Sequence, residues 1–278
     1  MVSGKVEKPS KRKSSLKNPK PHPKFKKKKK NQPPKADKNE SKTKSSSDIN
    51  EVTPASASAS ASELRSFFIN EFQSANGLQL SSIELESIKE TSFLELSQEL
   101  GQDVQALGKQ MKAAFGSSYK EVLCEGQLVE GKIDPGSPAV LIVSTSALRA
   151  IELLRGVRTL TRECHAVKLF SKHMKVEEQV ALLKDRVNLA SGTPSRVKKL
   201  IDIEALGLSR LSVIVLDIHT DMKGYSLLTL PQVRDEFWDL YKNYLHQPLL
   251  RGDLRICLFG PLPNGNVVRG KRKKVPDE

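Results

Sequence analysis

The chain has 278 residues, of which 46 are Lys or Arg and 32 are Asp or Glu, so its net charge is +14. The charge is concentrated at the ends: residues 1–62 carry a net +12 and residues 269–278 a net +3, which leaves −1 for the 63–268 body. This distribution excludes an evenly basic, histone-like protein, and the length suffices for one or two domains with a hydrophobic core.

The first 62 residues are predicted to be a disordered basic tail and linker. They contain seven large apolar residues, too few to bury the surface that would offset the entropy lost on ordering. They end in an Ala/Ser-rich linker over 54–62. Three scattered cysteines indicate a reducing compartment, and no apolar run is long enough for a membrane span, so we expect no membrane partner.

Helical periodicity and capping patterns predict an N-terminal helical segment over 63–125. Ser81 and Glu84 have the spacing of a capping box, which predicts a helix start. Ser92 and Glu95 repeat that spacing and favour a further short helix there. The predicted helices are 63–74, one from Ser81, and 104–115 with an extension over 119–123.

From 139 to 262 short apolar runs alternate with helical periodicity. Strands that are apolar on both faces and joined by helices are typical of a parallel sheet covered on both sides. The sequence therefore predicts an α/β fold, a parallel sheet flanked by helices, with right-handed crossovers and functional loops at the carboxyl ends of the strands. The predicted strands are 139–143, 166–170, 187–190, 213–217 and 255–259, and the predicted helices are 146–155, 174–185, 194–204 and 232–245.

Two strand ends carry groups that suit a sugar-phosphate backbone. Thr193 is a suitable N-cap and Pro194 suits the first helical position, so helix N–H groups would be available to a phosphate. The hydroxyl cluster Ser144–Ser146 precedes another predicted helix in the same way. For both segments the alternative is simple helix capping with solvated charges. The cationic residues near Thr193 are Arg196, Lys198 and Lys199.

The elements of a nucleotide site are incomplete. Asp217 ends an apolar strand, where an ATPase would hold magnesium, but Ile218 stands in place of a second carboxylate. We therefore expect Asp217 to serve as a cap or a structural hydrogen-bond acceptor. The segment 126–132 has the spacing of a phosphate loop, but Ile133 replaces the required hydroxyl and the following 134–138 leaves no room for a helix. We expect no catalytic residue, metal, cofactor or small-molecule substrate.

Both tails contain dense cationic clusters. Such clusters suit nucleic-acid binding through counterion release, or nuclear import, and the two uses can coexist. The cluster residues are Lys26, Lys27, Lys28, Lys29 and Lys30 near the N-terminus and Lys271, Arg272, Lys273 and Lys274 in the C-terminal tail.

The order of these segments resembles the first RecA-like domain of a DEAD-box RNA helicase, a lobe of the P-loop NTPase type, without its ATPase parts. Residues 140–150 resemble helicase motif Ia, residues 191–197 resemble motif Ib, and Asp217 stands at the first position of the D-E-A-D motif. More closely, 63–262 resembles the Cms ribosomal small-subunit factor family. The segments that carry this resemblance are V-L-I-V-S-T-S-A-L-R-A-I-E-L-L-R (140–155), K-L-F-S-K-H-M-K-V (168–176) and G-T-P-S-R-V-K-K-L (192–200).

The resemblance implies a protein of the nucleus and nucleolus that belongs to the small-subunit processome and associates with pre-ribosomal RNA. Motifs Ia and Ib contact the RNA backbone in helicases, and by resemblance this role falls to Thr145, Thr193, Pro194, Ser195 and Arg196. Ser195 stands where the helicases have glycine. Three functions stay open: a non-catalytic RNA-binding assembly factor, a protein-binding scaffold of which only the tails touch RNA, and an ATPase completed by a partner.

Overall fold

The computed structural model describes residues 59–126 and 133–263. The two tail clusters and most of the 126–132 motif lie outside these residues, so the expectations made for them stay predictions. Among the described helices, none combines the length and the apolar composition that crossing a bilayer requires.

One sheet of five parallel strands forms the centre of the described body. The strands are β1 (Val140–Val143), β2 (Val167–Leu169), β3 (Leu189–Gly192), β4 (Val213–Asp217) and β5 (Arg255–Phe259). Their spatial order is β2-β3-β1-β4-β5, and every neighbouring pair is parallel. The predicted parallel sheet is confirmed. Strand β3 lies two residues later than 187–190 because it ends in Ser191 and Gly192, whose small side chains do not belong to the apolar pattern.

The described residues also form eight α-helices around the sheet. They are α1 (Ala61–Asn76), α2 (Ser82–Ser87), α3 (Leu107–Phe115), α4 (Ala147–Gly156), α5 (Val176–Leu182), α6 (Pro194–Asp202), α7 (Pro231–Leu240) and α8 (His246–Arg251). Short 3-10 helices occur at Glu90–Ser92, Gln98–Leu100, Gly116–Ser118 and Arg158–Leu160, and π-helices at Lys120–Cys124 and Tyr241–Leu245.

Side chains of β1, β4 and β5 alternate between two hydrophobic layers. Leu141 and Val143 of β1 join the layer formed with α1, α6, α7 and α8, whereas Val140 and Ile142 join the layer formed with α3 and α4. All four are fully buried. Burying a side chain of this kind contributes about 1.5–3 kcal/mol. The sheet is therefore a rigid platform, and its carboxyl ends are fixed relative to the helices that follow them.

The N-terminal helices are part of this body. Phe68 of α1 packs edge-on against Trp238 and Tyr241, with ring centroids 5.2 Å away in both cases. Helix α1 extends two residues beyond the predicted 63–74 and is capped by Gly77, which adopts φ 63°. The side chains of α1 thus complete the layer that α7 begins.

The predicted capping box at Ser81 is confirmed, and the predicted helix at Ser92 is wrong. Glu84 accepts a hydrogen bond from the Ser81 N–H at 2.8 Å. After Ser92 the chain is extended instead: Phe93 forms a parallel bridge with Ile256, and the Leu94 N–H donates to the Ile256 carbonyl at 2.8 Å. Pairing with the outer edge of β5 satisfies backbone groups of both segments and outweighs a local capping preference.

Candidate nucleic-acid interface

The two predicted phosphate-binding segments lie side by side on one edge of the sheet. Val143 of β1 is level with Gly192 of β3, and the Ser144 N–H donates to the Gly192 carbonyl at 3.0 Å. Strand β4 flanks β1 on the other side and ends in Asp217. The carboxyl edge therefore has a β2–β3 half, which contains the start of α6, and a β1–β4 half, which contains the start of α4.

Helix α6 begins on the β2–β3 half as predicted. Thr193 is the N-cap residue and Pro194, which is buried, takes the first helical position. The Thr193 side chain caps no N–H group, and its own N–H donates to the Leu169 carbonyl at 3.0 Å. Ser195 is exposed. The first turn of α6 thus keeps N–H groups that no N-cap side chain satisfies, an arrangement that favours an anion.

Arg196 holds the segment after β2 against α6. Its guanidinium donates to the Met174 carbonyl at 3.2 Å and to Oε1 of Gln179 at 2.7 Å. Gln179 is buried and in turn donates to the carbonyls of Lys168 and Phe170, at 2.8 and 3.0 Å. The structure therefore gives Arg196 a positioning role inside the protein, in addition to the RNA contact predicted for it.

Three lysines of the β2–β3 half are free of ion pairs within the described part of the chain. Lys172, Lys175 and Lys199 are exposed and have no described carboxylate partner. Lys198, by contrast, pairs with Asp202 at 3.1 Å and with Asp239 at 3.6 Å. Sequence reasoning did not single out Lys172 and Lys175, because only the sheet order shows that the segment after β2 lies beside α6.

The hydroxyl cluster of the β1–β4 half mainly serves the helix. Ser146 is the N-cap of α4 and accepts a hydrogen bond from the Arg149 N–H at 3.3 Å. Ser144 is buried and donates to the Ser146 carbonyl at 3.3 Å. The hydroxyl of Thr145 is half-buried and has no hydrogen-bond partner within the described ranges. Of this cluster, Thr145 is thus the member with a hydroxyl left to meet a ligand.

Asp217, the acid at the tip of β4, is held by two basic side chains. Arg149 binds it in a bidentate manner, with Nε 2.7 Å from Oδ2 and Nη2 3.0 Å from Oδ1. Nδ1 of His219 lies 2.8 Å from Oδ1. Arg149 also donates to Glu152 at 2.9 Å. Asp217 is therefore the structural hydrogen-bond acceptor that was predicted, although its partners were not foreseen.

The charges in this cluster stabilise one another. Burial raises the pKa of the Asp217 carboxyl, but hydrogen bonds from His219 and Arg149 outweigh burial and leave that pKa below its usual value. The hydrogen bond to Asp217 likewise raises the pKa of the Arg149 guanidinium. The carboxylate is ionised at neutral pH, and both of its oxygens face a cation of the protein.

These residues do not fit the magnesium ion of a helicase ATPase. A guanidinium occupies both oxygens of Asp217, and the neighbouring Ile218 is a buried apolar residue. Within 59–126 and 133–263, no group of three His, Cys, Asp or Glu side chains is arranged to hold a metal. The edge can present N–H groups, hydroxyls and ammonium groups to an anion, which is the chemistry of phosphate binding.

The fold of this chain is similar to that of two solved proteins. A DEAD-box protein of Methanococcus jannaschii is 18% identical, with 68% of this chain and 50% of that chain covered and a TM-score of 0.33. A Dbp5 of S. cerevisiae bound to RNA and ADP BeF3 is 17% identical, with 65% and 44% covered and a TM-score of 0.35.

Curated relatives match part of the chain. Protein CMSS1 of Homo sapiens is 34% identical over 147 residues, which cover 51% of this chain and 53% of the human protein. Protein CMS1 of Chaetomium thermophilum is 47% identical over 91 residues, which cover 32% of this chain and 36% of that protein. The aligned part of the chain spans about half the length of the CMSS1 relatives.

A protein-family comparison covers most of the sequence. The family model described as "CMS1: U3-containing 90S pre-ribosomal complex subunit" matches residues 7–259. The match includes the sheet, its carboxyl edge and the N-terminal helices, and it confirms the resemblance found in the sequence. The chain therefore belongs to the CMS1 family of ribosome biogenesis factors.

Proposed function

We propose that this protein is a non-catalytic, RNA-binding assembly factor of the small ribosomal subunit. The family description, a subunit of the U3-containing 90S pre-ribosomal complex, supports this setting. The proposed partners are pre-ribosomal RNA and proteins of the small-subunit processome, and the proposed location is the nucleolus. The proposed RNA contact rests on one observation about the β2–β3 half of the carboxyl edge. Beside the start of α6, Lys172, Lys175 and Lys199 are exposed and have no described ion pair.

The RNA backbone is the part of the ligand that this edge suits. Lysine ammonium groups, hydroxyls and helix N–H groups all contact phosphates and carry no base specificity. Thr145 and Ser195 supply hydroxyls to the same edge, and Lys199 follows Ser195 by four residues on one face of α6. In this proposal the 63–268 body fixes the orientation of the RNA, while the 1–62 and 269–278 tails add attraction without sequence preference and act in nuclear import.

The absence of catalysis is proposed from the Arg149–Asp217 pair. An ATPase would need Asp217 to release Arg149 and accept a metal, which would cost the partly buried guanidinium its buried partner and leave it the exposed Glu152 carboxylate alone. Titration of the full chain with a fluorescent ATP analogue and magnesium tests this point. We expect no saturable signal. Saturable binding that Asp217→Asn removes would favour the partner-dependent ATPase instead.

The RNA contact is tested by charge reversal on the edge. The variant Lys172→Glu/Lys175→Glu/Lys199→Glu is compared with Lys89→Glu/Lys184→Glu/Lys242→Glu, which reverses three exposed lysines elsewhere. In vivo crosslinking with sequencing of the bound RNA is the measurement. We expect the first variant to lose most crosslinks to pre-ribosomal RNA and the second to keep them. Equal crosslinking of both variants would refute RNA binding by this edge.

A protein-binding scaffold is the second candidate, and exposed apolar side chains on the β1–β4 half favour it. Leu148 of α4 is 69% exposed, and Met222, in the segment after β4, is fully exposed. Contiguous exposed apolar patches commonly mark protein contacts, and these two side chains would belong to such a patch in the scaffold function. The scaffold function predicts that Leu148→Ser releases a processome protein while edge crosslinks to RNA are unchanged.

A further inference from the structure

A second cationic site lies away from the carboxyl edge, between α3 and the C-terminal end of α4. We call it the α3–α4 cleft. It has a volume of about 550 Å³, and its side chains include four cations and no carboxylate. The cations are Lys109, Arg155, Arg158 and Arg162. The adjoining pocket shares Arg162 with the cleft and adds Lys112, Lys120 and three glutamates, so its own charges compensate one another.

The four cationic side chains of the cleft are not paired with other described residues of the protein. All are exposed, and none forms a hydrogen bond or ion pair through its side chain with another described residue. The surrounding 63–268 body has a net charge of −1. Four unpaired cations around one concavity therefore form a local excess of positive charge in an otherwise balanced body.

Backbone contact makes the floor of the cleft rigid. A Cβ added to Gly156 would lie 1.9 Å from the Val104 carbonyl oxygen, and one added to Gly108 would lie 2.8 Å from the Gly156 carbonyl oxygen. The chain before α3 and the end of α4 are thus packed backbone to backbone. The backbone positions of Lys109 on α3 and Arg155 on α4 are therefore fixed relative to each other, which lowers the entropy cost of binding a polyanion between them.

The position of Lys109 is unfavourable for the isolated protein. Lys109 stands in the first turn of α3, at the positive end of the helix dipole, where a cation destabilises the helix. No described carboxylate compensates it. An anion in the cleft would relieve this repulsion together with the mutual repulsion of the three arginines.

We propose that the α3–α4 cleft binds the phosphate backbone of RNA, as a second site separate from the carboxyl edge. This inference rests on the proposed RNA-binding function. Helix α4 connects the two sites: it starts at the edge, ends at the cleft, and its 10 residues span about 15 Å. An RNA strand bound at the edge can therefore continue along α4 into the cleft.

The lining chemistry favours RNA over an acidic protein segment. Stable protein contacts are anchored by buried aromatic or large aliphatic side chains. The lining of the cleft consists of Gln, Gly, Lys, Arg and Thr residues alone and offers no such anchor. The planar guanidinium groups of Arg155, Arg158 and Arg162 instead match the paired oxygens of phosphates.

The test uses the full chain, a labelled single-stranded oligouridine and two charge-neutralising variants. The cleft variant is Arg155→Gln/Arg158→Gln/Arg162→Gln. The control, Lys89→Gln/Lys184→Gln/Lys242→Gln, removes the same charge from exposed lysines that have no described ion pair and lie outside the cleft. Each phosphate contact with single-stranded nucleic acid contributes about 0.7 to the slope of log K against log salt. We expect the cleft variant to lower this slope by about 2 and the control to lower it by less than about 0.7.

Lysine acetylation provides a local readout that the basic tails do not dominate. Lys109 is acetylated with and without the oligouridine and quantified by mass spectrometry, with the exposed Lys89 as internal control. We expect RNA to protect Lys109 and to leave Lys89 reactive. Protection of Lys199 without protection of Lys109 overturns the cleft site and leaves the proposed function standing. Protection of neither lysine overturns both. A cleft variant that no longer binds polyglutamate but still binds RNA like the wild type would overturn the RNA site. The cleft would then bind an acidic protein segment.

Discussion

The two halves of the carboxyl edge contain similar residue types and use them in opposite ways. On the β1–β4 half, Arg149 is bound by Asp217, so the charge of this arginine is neutralised within the protein. On the β2–β3 half, Lys172, Lys175 and Lys199 have no described ion pair. The comparison shows that a charged residue at a strand end is evidence for a partner only when the fold leaves its charge uncompensated.

The largest expected effect comes from removing the Arg149–Asp217 ion pair of the β1–β4 half. Arg149→Ala leaves the Asp217 carboxylate, 2% exposed, without its bidentate partner. Removing one member of a buried pair costs about 3 kcal/mol or more, because the remaining charge stays desolvated. Urea unfolding measures the change. Arg251→Ala, which breaks the exposed pair with Asp253, is the control and should leave the midpoint unchanged.

If Arg149→Ala and Arg251→Ala shifted the urea midpoint equally, the buried Arg149–Asp217 pair would stabilise the fold no more than the exposed Arg251–Asp253 pair. The m-value serves as a check in both variants. An unchanged m-value shows that the shift reflects stability rather than a change in the surface exposed on unfolding.

A smaller effect, with a defined pH dependence, is expected for Asp217→Asn. The amide keeps the shape and loses the charge, so we expect a loss of about 2 kcal/mol at neutral pH, typical of hydrogen bonds to charged groups. The pKa of Asp217 in the folded chain lies below its usual value. Its contribution is therefore complete above pH of about 4 and is lost as the pH falls through the folded pKa.

Urea unfolding of the wild type and Asp217→Asn between about pH 5 and pH 2 tests whether the stabilisation by Asp217 is lost on acidification. The difference in unfolding free energy between the two proteins should be constant at the upper end and shrink towards the lower end. A difference that grew on acidification would mean that the folded pKa of Asp217 is raised, contrary to the hydrogen bonds from Arg149 and His219.

On the β2–β3 half, Arg196→Ala should lower the free energy of unfolding by less than the two variants above. It removes the contacts to the Met174 carbonyl and to Gln179, and we expect a loss of about 1.5 kcal/mol, the lower end for hydrogen bonds that involve a charged group, because Arg196 is partly exposed. Amide hydrogen exchange should accelerate over 171–175 and not in β4. Unchanged exchange over 171–175 would show that Arg196 does not position this segment.

Sequence patterns predicted the sheet better than the edge. The runs at 213–217 and 255–259 each contain four consecutive apolar residues, and both strands form over those residues. The end of β3 was missed because Ser191 and Gly192 resemble a loop when read alone. A buried strand in the middle of a sheet can accept such residues because its neighbours supply the burial.

The side-chain network of the edge was beyond sequence reasoning for a different reason. Arg149 and Asp217 are 68 positions apart, and neither spacing nor periodicity links them. The same holds for Arg196 and Met174, which meet because β2 and β3 are neighbours. Individual groups at strand ends could be proposed from their residue types, whereas their pairing depends on strand order and side-chain reach.

The smallest expected effect concerns two adjacent lysines of α6, one with ion pairs and one without. Lys198 pairs with Asp202 and Asp239, and Lys199 has no described ion pair. Lys199→Met should lower the salt slope of RNA binding by about 0.7, the value of one lost phosphate contact. Lys198→Met removes the same formal charge, but that charge is already compensated by two carboxylates, so the slope should change little. Equal slopes for the two variants would mean that the edge attracts RNA by total charge alone and that the ion pairs observed on α6 have no part in selecting which lysines bind.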